Sequence, residues 1–224
     1  MNSYKSALSK LKRNKIPIKN ETVSIKDSLN RVSATDIISP INYPTCDNTA
    51  FDGFAVNSKE TKSLNSKNIK KFKIIKTIAA GDNPNIKKIP KYSTIEVMTG
   101  AIIQKPFDTI IPIEQISFFQ NKSKAKYIIL KNKLKKNEYI RPAGSDFKKK
   151  DIIVKKGQLI NSTHILALKT LGIEKILVKR KLKVAFYPTG NELSDNKKIP
   201  NWKIRNSNTN YLDSITKNLP ISFT

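Results

Sequence analysis

From residue 54 to about residue 140 the pattern of apolar and polar positions is mostly strand-like. Phe72 to Ile78, Thr94 to Met98, Thr109 to Ile113 and Tyr127 to Leu130 are β-rich runs. Turn signals separate them, including Ala80-Gly81-Asp82-Asn83-Pro84 and Lys105-Pro106. This predicts a compact β domain, with the Lys- and Asn-rich pieces at 57–71 and 120–126 as solvated loops.

Helical spacing appears on either side. Tyr4, Ala7, Leu8 and Leu11 predict a helix over Tyr4 to Arg13. Ser24-Ile25-Lys26-Asp27 resembles a capping box with Asp in the place of Glu or Gln, opening a short helix through Leu29. Ser39-Pro40 and Tyr43-Pro44 then enforce an extended path. Downstream, Ser162 and Thr163 are candidate N-caps of a helix that runs through Leu171, and Gly172 is placed to end it. Glu174 to Val178 and Leu182 to Phe186 read as strands. Asn208 to Leu219 reads as a helix with Tyr211, Leu212, Ile215 and Leu219 on one face. A strand, a polar turn and a helix open an α/β domain, but one strand and one helix cannot cover a sheet on both faces. The chain therefore reads as two complete pieces and the opening of a third.

Composition narrows the class. With 38% hydrophobic residues in 224, the chain can build real cores. The single cysteine, Cys46, excludes an intrachain disulfide and fits a reducing compartment. The start, Met1-Asn2-Ser3-Tyr4-Lys5, leads into a mixed polar segment rather than a signal core, and no apolar run approaches the roughly 20 residues of a bilayer span. A cytoplasmic protein with no membrane attachment is the expectation. The net charge of +26 invites a nucleic-acid reading. Arginine is scarce, however (Arg13, Arg31, Arg141, Arg180 and Arg205 only), and the lysines run along the whole chain. Groove readout and bidentate phosphate recognition favour arginine. Lys, Ile and Asn also share AT-rich codons, so genome bias accounts for much of the charge. No nucleic-acid partner is expected.

Five polar signatures carry the candidate chemistry. Asp47-Asn48-Thr49-Ala50-Phe51-Asp52-Gly53 sets two carboxylates, an amide and a hydroxyl ahead of an apolar run. It reads as a turn able to hold an oxygen-rich ligand, or as an ordinary Asp-Gly turn before a strand. Met98-Thr99-Gly100-Ala101 ends a strand with a hydrogen-bonding hydroxyl and a glycine that lets backbone approach a ligand. Asp108 to Gln115 has a buried centre and a carboxylate at each end, with Glu114 either a ligand group or a solvated strand end. Arg141-Pro142-Ala143-Gly144-Ser145-Asp146 is a tight loop whose guanidinium suits a phosphate or pairs with Asp146. Tyr187-Pro188-Thr189-Gly190-Asn191-Glu192-Leu193 lies at the carboxyl end of a strand, the ligand edge of open α/β sheets. Further on, Ser207 and Asn208 precede a helix, where they bind an anion or simply cap it. His164, the single histidine, lacks partners for a zinc site or a triad and reads as structural, and Trp202 as packing or loop anchorage.

In this order the signatures resemble the molybdopterin molybdenumtransferase family, relatives of the gephyrin E domain, over about Tyr4 to Leu212. The segment from Ser39-Pro40 through Val56 is similar to the family's most distinctive motif. Thr49, Phe51 and Phe54 stand where Ser, Met and Tyr are usual, and Asn191 where aspartate is usual. The resemblance implies an elongated, multidomain, dimeric subunit of α/β plus β class. An α/β linking domain would use residues 1–40 and 147–180, a β-rich domain 41–146 would be inserted in it, and 181–224 would begin a molybdopterin-binding α/β domain. It implies insertion of molybdate into adenylylated molybdopterin with release of AMP and with Mg²⁺, beside a possible molybdopterin adenylyltransferase partner. By motif position Asp52, Thr99, Asp146 and Glu192 fall on catalytic positions. Arg141, Asn48, Gly190, Ser207 and Asn208 fall to substrate, and Asp52 and Glu192 to the metal. Family members continue further, with a glycine-rich loop and a C-terminal β domain, so this chain alone is expected to turn over weakly or not at all. The alternative is a non-catalytic dimerisation or scaffold module of the same family.

Overall fold

The computed structural model describes residues 3–14, 16–118 and 126–224; the loop expected at 120–126 falls almost wholly outside them. The chain divides into two compact units, Pro40–Lys150 and Met1–Ser39 with Asp151–Thr224. Sheets are mixed and helices few.

The Pro40–Lys150 unit is built on a six-stranded sheet. In spatial order its strands are Thr109–Pro112, Gly53–Val56, Ser93–Val97, Lys70–Ile78, Tyr127–Leu130 and Ser117–Phe118. Only Lys70–Ile78 and Ser93–Val97 run parallel, with a register shift between Ile74 and Lys76. The other neighbours are antiparallel. Gly53–Val56 and Thr109–Pro112 are buried along their whole length. Side chains alternate across a strand, so Ala55 and Ile110 enter one cluster with Ile78, Ile95, Val97 and Phe107. Phe54, Val56 and Ile111 enter another with Phe72, Ile128 and Leu130. A sheet covered on both faces explains why these strands read as unbroken apolar runs. Within the stretch expected as a loop at 57–71, Ser58–Thr61 forms a 3₁₀ turn and Lys70 already belongs to a strand. Residues 147–150 go with this unit because Tyr43 N donates to Phe147 O (2.7 Å) and Lys149 N to Asn42 Oδ1 (2.8 Å).

In the other unit Asn20–Ser24 pairs antiparallel with Lys175–Lys179, and Ile37–Ile38 with Ile152–Val154. Helix Ser162–Thr170 packs Leu168 into a core with Ile25, Ile37, Val154, Ile160 and Val178. Arg31, almost wholly buried, donates to the Glu21 carboxylate and to Lys179 O (2.9 Å). That ion pair, more than its other contacts, holds the Glu21 carboxyl below its ordinary range.

Several local expectations are corrected. Ser24 caps only a 3₁₀ turn, Ile25–Asp27, since the Asp27 carboxylate takes the Ser24 hydroxyl (2.7 Å) rather than a backbone N–H. The cap of the 162–170 helix is Asn161, not Ser162 or Thr163; its Oδ1 accepts from His164 N (2.9 Å) while His164 Nδ1 accepts from Asn161 N (3.2 Å). His164 is structural, as a member of that capping box. The strand after Lys181 is only Leu182–Val184, and the last helix stops at Thr216. Beyond it Ile221–Phe223 pairs parallel with Leu182–Val184, so this region holds a strand–helix–strand crossover rather than a single strand and helix. No residue from 182 onward is buried, and Trp202 is 77% exposed.

Candidate functional site

The segment Asp47 to Asp52 is the hub of the site in the Pro40–Lys150 unit. Its short strand Asn48–Thr49 pairs with Ile140–Arg141, setting Asn48 opposite Arg141. On its other side Thr49 N donates to Ala101 O (3.0 Å) and Gly100 N to Thr49 O (2.9 Å). Thr49, buried, ties the turn to itself: its hydroxyl donates to Phe51 O and accepts from Phe51 N (3.1 Å). Segments far apart in sequence thus lie against one six-residue turn. Gly53 leads into the sheet, where an added Cβ would meet Ile111 O at 2.1 Å. No other residue type fits that approach of two strands.

Two polar pairs project from the hub. Asp52 Oδ1 accepts from Thr99 N (2.7 Å) and from Thr99 Oγ1 (2.8 Å). The backbone bond first, then the hydroxyl, lower the Asp52 pKa from its ordinary value. Gly100, at φ +86°, turns the chain so that Thr99 presents both donors. Asp52 Oδ2 has no hydrogen-bond partner among the described residues. Arg141 Nη2 donates to Asp146 Oδ2, and Asp146 Oδ1 accepts from Ser145 Oγ (3.3 Å). The pair raises the Arg141 pKa and lowers that of Asp146. Arg141 Nε and Nη1 have no hydrogen-bond partner among the described residues. Of the two readings of this loop, mutual pairing is what the structure shows, and it leaves the guanidinium only partly engaged.

Two contacts of this cluster were not foreseen from the sequence. Asp47 Oδ1 accepts from Ala143 N (2.8 Å) and so ties the arginine loop to the hub. Phe51 and Tyr139 meet edge to face, ring centroids 5.1 Å apart, both partly exposed beside Asp52. Asp47 was visible as the first of the motif's two carboxylates although its tether was not, whereas nothing local marks Tyr139. Asp108, by contrast, serves the fold: its carboxylate accepts from Ser58 N (2.7 Å) and Ser58 Oγ (3.0 Å). Glu114 lies exposed in a 3₁₀ turn after the strand.

Gly190, Glu192, Ser207 and Asn208 belong to the other unit. The residues from Phe186 to Thr189 and from Ile204 to Asn208 line a concavity of about 430 Å³ at the end of the Leu182–Val184 strand. The Glu192 carboxylate lies over Gly190, within 2.5–2.7 Å of where a Cβ would stand. Arg205 does not face the concavity alone: Nη1 donates to Asn196 O (3.0 Å) and Nη2 to Lys197 O (2.8 Å), closing the 196–205 loop. Ser207 stands at the N-cap position, its carbonyl accepting from Tyr211 N (3.0 Å), but its side chain makes no cap bond. Asn206 Oδ1 instead accepts from Thr209 N (3.4 Å) and Oγ1 (3.0 Å). Among the described residues no group of three or more His, Cys, Asp or Glu is placed to hold a metal ion. Nor is any helix long and apolar enough to cross a membrane.

Mixed sheets, few helices and a β-rich unit place this chain in the class seen in crystal structures of the molybdopterin biosynthesis MoeA protein of Pyrococcus horikoshii. One such structure superimposes with a TM-score of 0.83 at 28% identity over 98% of this chain and 55% of that one. Another gives 0.81 at 26% identity over 92% and 54%. The family model for the MoeA N-terminal region, domains I and II, matches residues 2–172, and the chain belongs to that family. It is 31% identical to a molybdopterin molybdenumtransferase of Staphylococcus aureus over 93% of its length and 52% of the relative. To one of Staphylococcus epidermidis it is 32% identical over 98% and 51%. The chain spans about half the length of the curated relatives it matches.

Proposed function

We propose that this chain supplies the substrate-holding N-terminal part of a molybdopterin molybdenumtransferase, which inserts molybdate into adenylylated molybdopterin and releases AMP. The observation that carries the reading is the convergence of Asp52–Thr99 and Arg141–Asp146 on one turn, beside membership in the MoeA N-terminal family. Arg141 offers its remaining N–H groups to an anionic oxygen of the substrate, and Asp146 positions it. Thr99 fixes the Asp52 carboxylate through Oδ1 and lowers its pKa, and Oδ2 is left to accept from a ligand or meet a cation. Mg²⁺, when bound, would offset phosphate charge during phosphoanhydride cleavage; Asp52 is the carboxylate offered to it in the Pro40–Lys150 unit, and Glu192 is one that belongs to the other unit. Asn48 adds an amide to the Asp52–Arg141 cluster, and Gly190, Ser207 and Asn208 are the polar positions offered to substrate within the other unit. The same reading carries a dimeric, multidomain subunit with the β-rich unit inserted in an α/β linking domain, a cytoplasmic location, and substrate received from a molybdopterin adenylyltransferase.

The test is isothermal titration of the purified chain with adenylylated molybdopterin in the presence of Mg²⁺ and molybdate. Micromolar binding that weakens in Arg141→Ala and Asp52→Ala is expected. Absence of binding heat would assign the chain to a non-catalytic dimerisation module instead.

A further inference from the structure

A second charged surface of the Pro40–Lys150 unit is used by none of this chemistry. Lys59, Lys105 and Lys136, with Asn57, Pro106 and Asp108, line a concavity of about 320 Å³. Lys59, Asp108 and Lys136 also border a second of about 360 Å³, lined further by Lys62, Lys133, Leu134 and Lys135. The two therefore adjoin and make a double groove walled by lysines from three separate segments. All six lysines are exposed. The one carboxylate in the lining, Asp108, has both oxygens committed to Ser58. Glu138, close by in sequence, accepts from Lys135 N (3.3 Å). Six ammonium groups thus share one lining carboxylate, a local excess of positive charge whose self-repulsion an anionic partner relieves.

The chemistry of the walls selects among anions. Neither concavity is lined by an arginine or an aromatic side chain. Nucleic-acid grooves rely on arginine forks and on rings that stack with bases. Six ammonium groups spread over two adjoining concavities also exceed what a single phosphate ion can touch. Leu134, Pro106 and the lysine stems supply apolar contact between the charges. We propose that this double groove docks an acidic segment of a partner protein, an extended stretch whose Asp or Glu carboxylates meet the lysine ammonium groups. The proposal does not depend on the function assigned to the Asp52 site.

The experiment is fluorescence anisotropy of a labelled oligo-glutamate peptide with the whole 224-residue chain, at an ionic strength of about 0.15 M. The triple variant K59E/K105E/K136E should weaken binding by about tenfold or more, since rim and groove charges facing a partner set its affinity. The control K87E/K88E/K91E changes net charge equally on an exposed loop outside the groove and should leave binding within about twofold. K59Q/K105Q/K136Q, which removes charge without adding repulsion, should fall between. Equal loss in groove and control variants would overturn the proposal, because the peptide would then be reading overall charge. So would absence of binding at this ionic strength. Tighter binding of a labelled oligothymidylate with the same variant sensitivity would reassign the groove to nucleic acid.

Discussion

Asp52 receives two hydrogen bonds on one carboxylate oxygen from one residue, Thr99, whose N–H and hydroxyl stand 2.7 and 2.8 Å away. A carboxylate held this way is fixed in direction and in charge while its second oxygen stays open. The donors come from the far end of a neighbouring strand's exit turn, so the contact also reports that the turn and the motif are seated together.

Thr99→Val removes the hydroxyl and keeps the backbone N–H. Because the backbone bond is the larger cause of the lowered Asp52 pKa, the variant's value should rise only part of the way to the ordinary aspartate range. A carboxyl whose folded pKa is depressed adds stability that is present above its unfolded pKa and lost as pH falls through the folded one. The stability difference between parent and variant should therefore be full at neutral pH and shrink on acidification. Carbon-detected NMR titration of Asp52 reads the first effect, and urea midpoints across pH read the second. An unchanged Asp52 titration would remove the hydroxyl from the account.

Arg141→Lys separates charge from shape. Lysine keeps the positive charge beside Asp146 but loses the planar fork that lets Nε and Nη1 address a ligand while Nη2 holds the pair. With both partners partly exposed, the melting temperature should barely move. Affinity for adenylylated molybdopterin should fall roughly tenfold, read by calorimetry. Full affinity with lysine would mean that only net charge matters there.

The capping box at Asn161 and His164 can be tested apart from the site. Asn161→Ala should cost about 1 kcal/mol, with binding at the Asp52 site unaffected. Urea unfolding measures the loss. A null effect would show that Ser162 or Thr163 takes over the cap.

What the sequence revealed and what it concealed divides along sequence separation. Tyr127–Leu130 and the 70–78 strand were legible because β-rich runs bounded by turn residues are local signals. The Tyr4–Arg13 helix was legible from its spacing. Asn161 was missed because two equally good caps follow it directly. Ile221–Phe223 was missed because three residues after Pro220 carry no period of their own; only their parallel pairing with Leu182–Val184 makes them a strand. At the site, the residue types of the motifs were visible, but their meeting was not. Asn48 opposite Arg141 and Asp52 beneath Thr99 are products of sheet register. The Asp47 tether and the Phe51–Tyr139 contact arise the same way.

Gly53→Ala tests whether the hub depends on strand approach. At Gly53 the strand pairs with Val97 on one side and Pro112 on the other. A methyl group there would sit 2.1 Å from Ile111 O and 2.9 Å from its carbonyl carbon, and both are backbone atoms that cannot rotate away. Either the Thr109–Pro112 strand shifts or the start of Gly53–Val56 leaves the sheet. Overpacking of this kind costs about 1–3 kcal/mol, so the urea midpoint should fall with the slope unchanged. Asp52 immediately precedes the clash, and Ile113 N donates to Asp52 O across the same strands (3.0 Å). Displacement should therefore loosen Asp52 from Thr99 and move its titration toward that of an ordinary aspartate. Stability lost with the Asp52 titration unchanged would mean that the sheet absorbs the strain away from the motif. A variant as stable as the parent would show that the two strands do not approach this closely at Gly53.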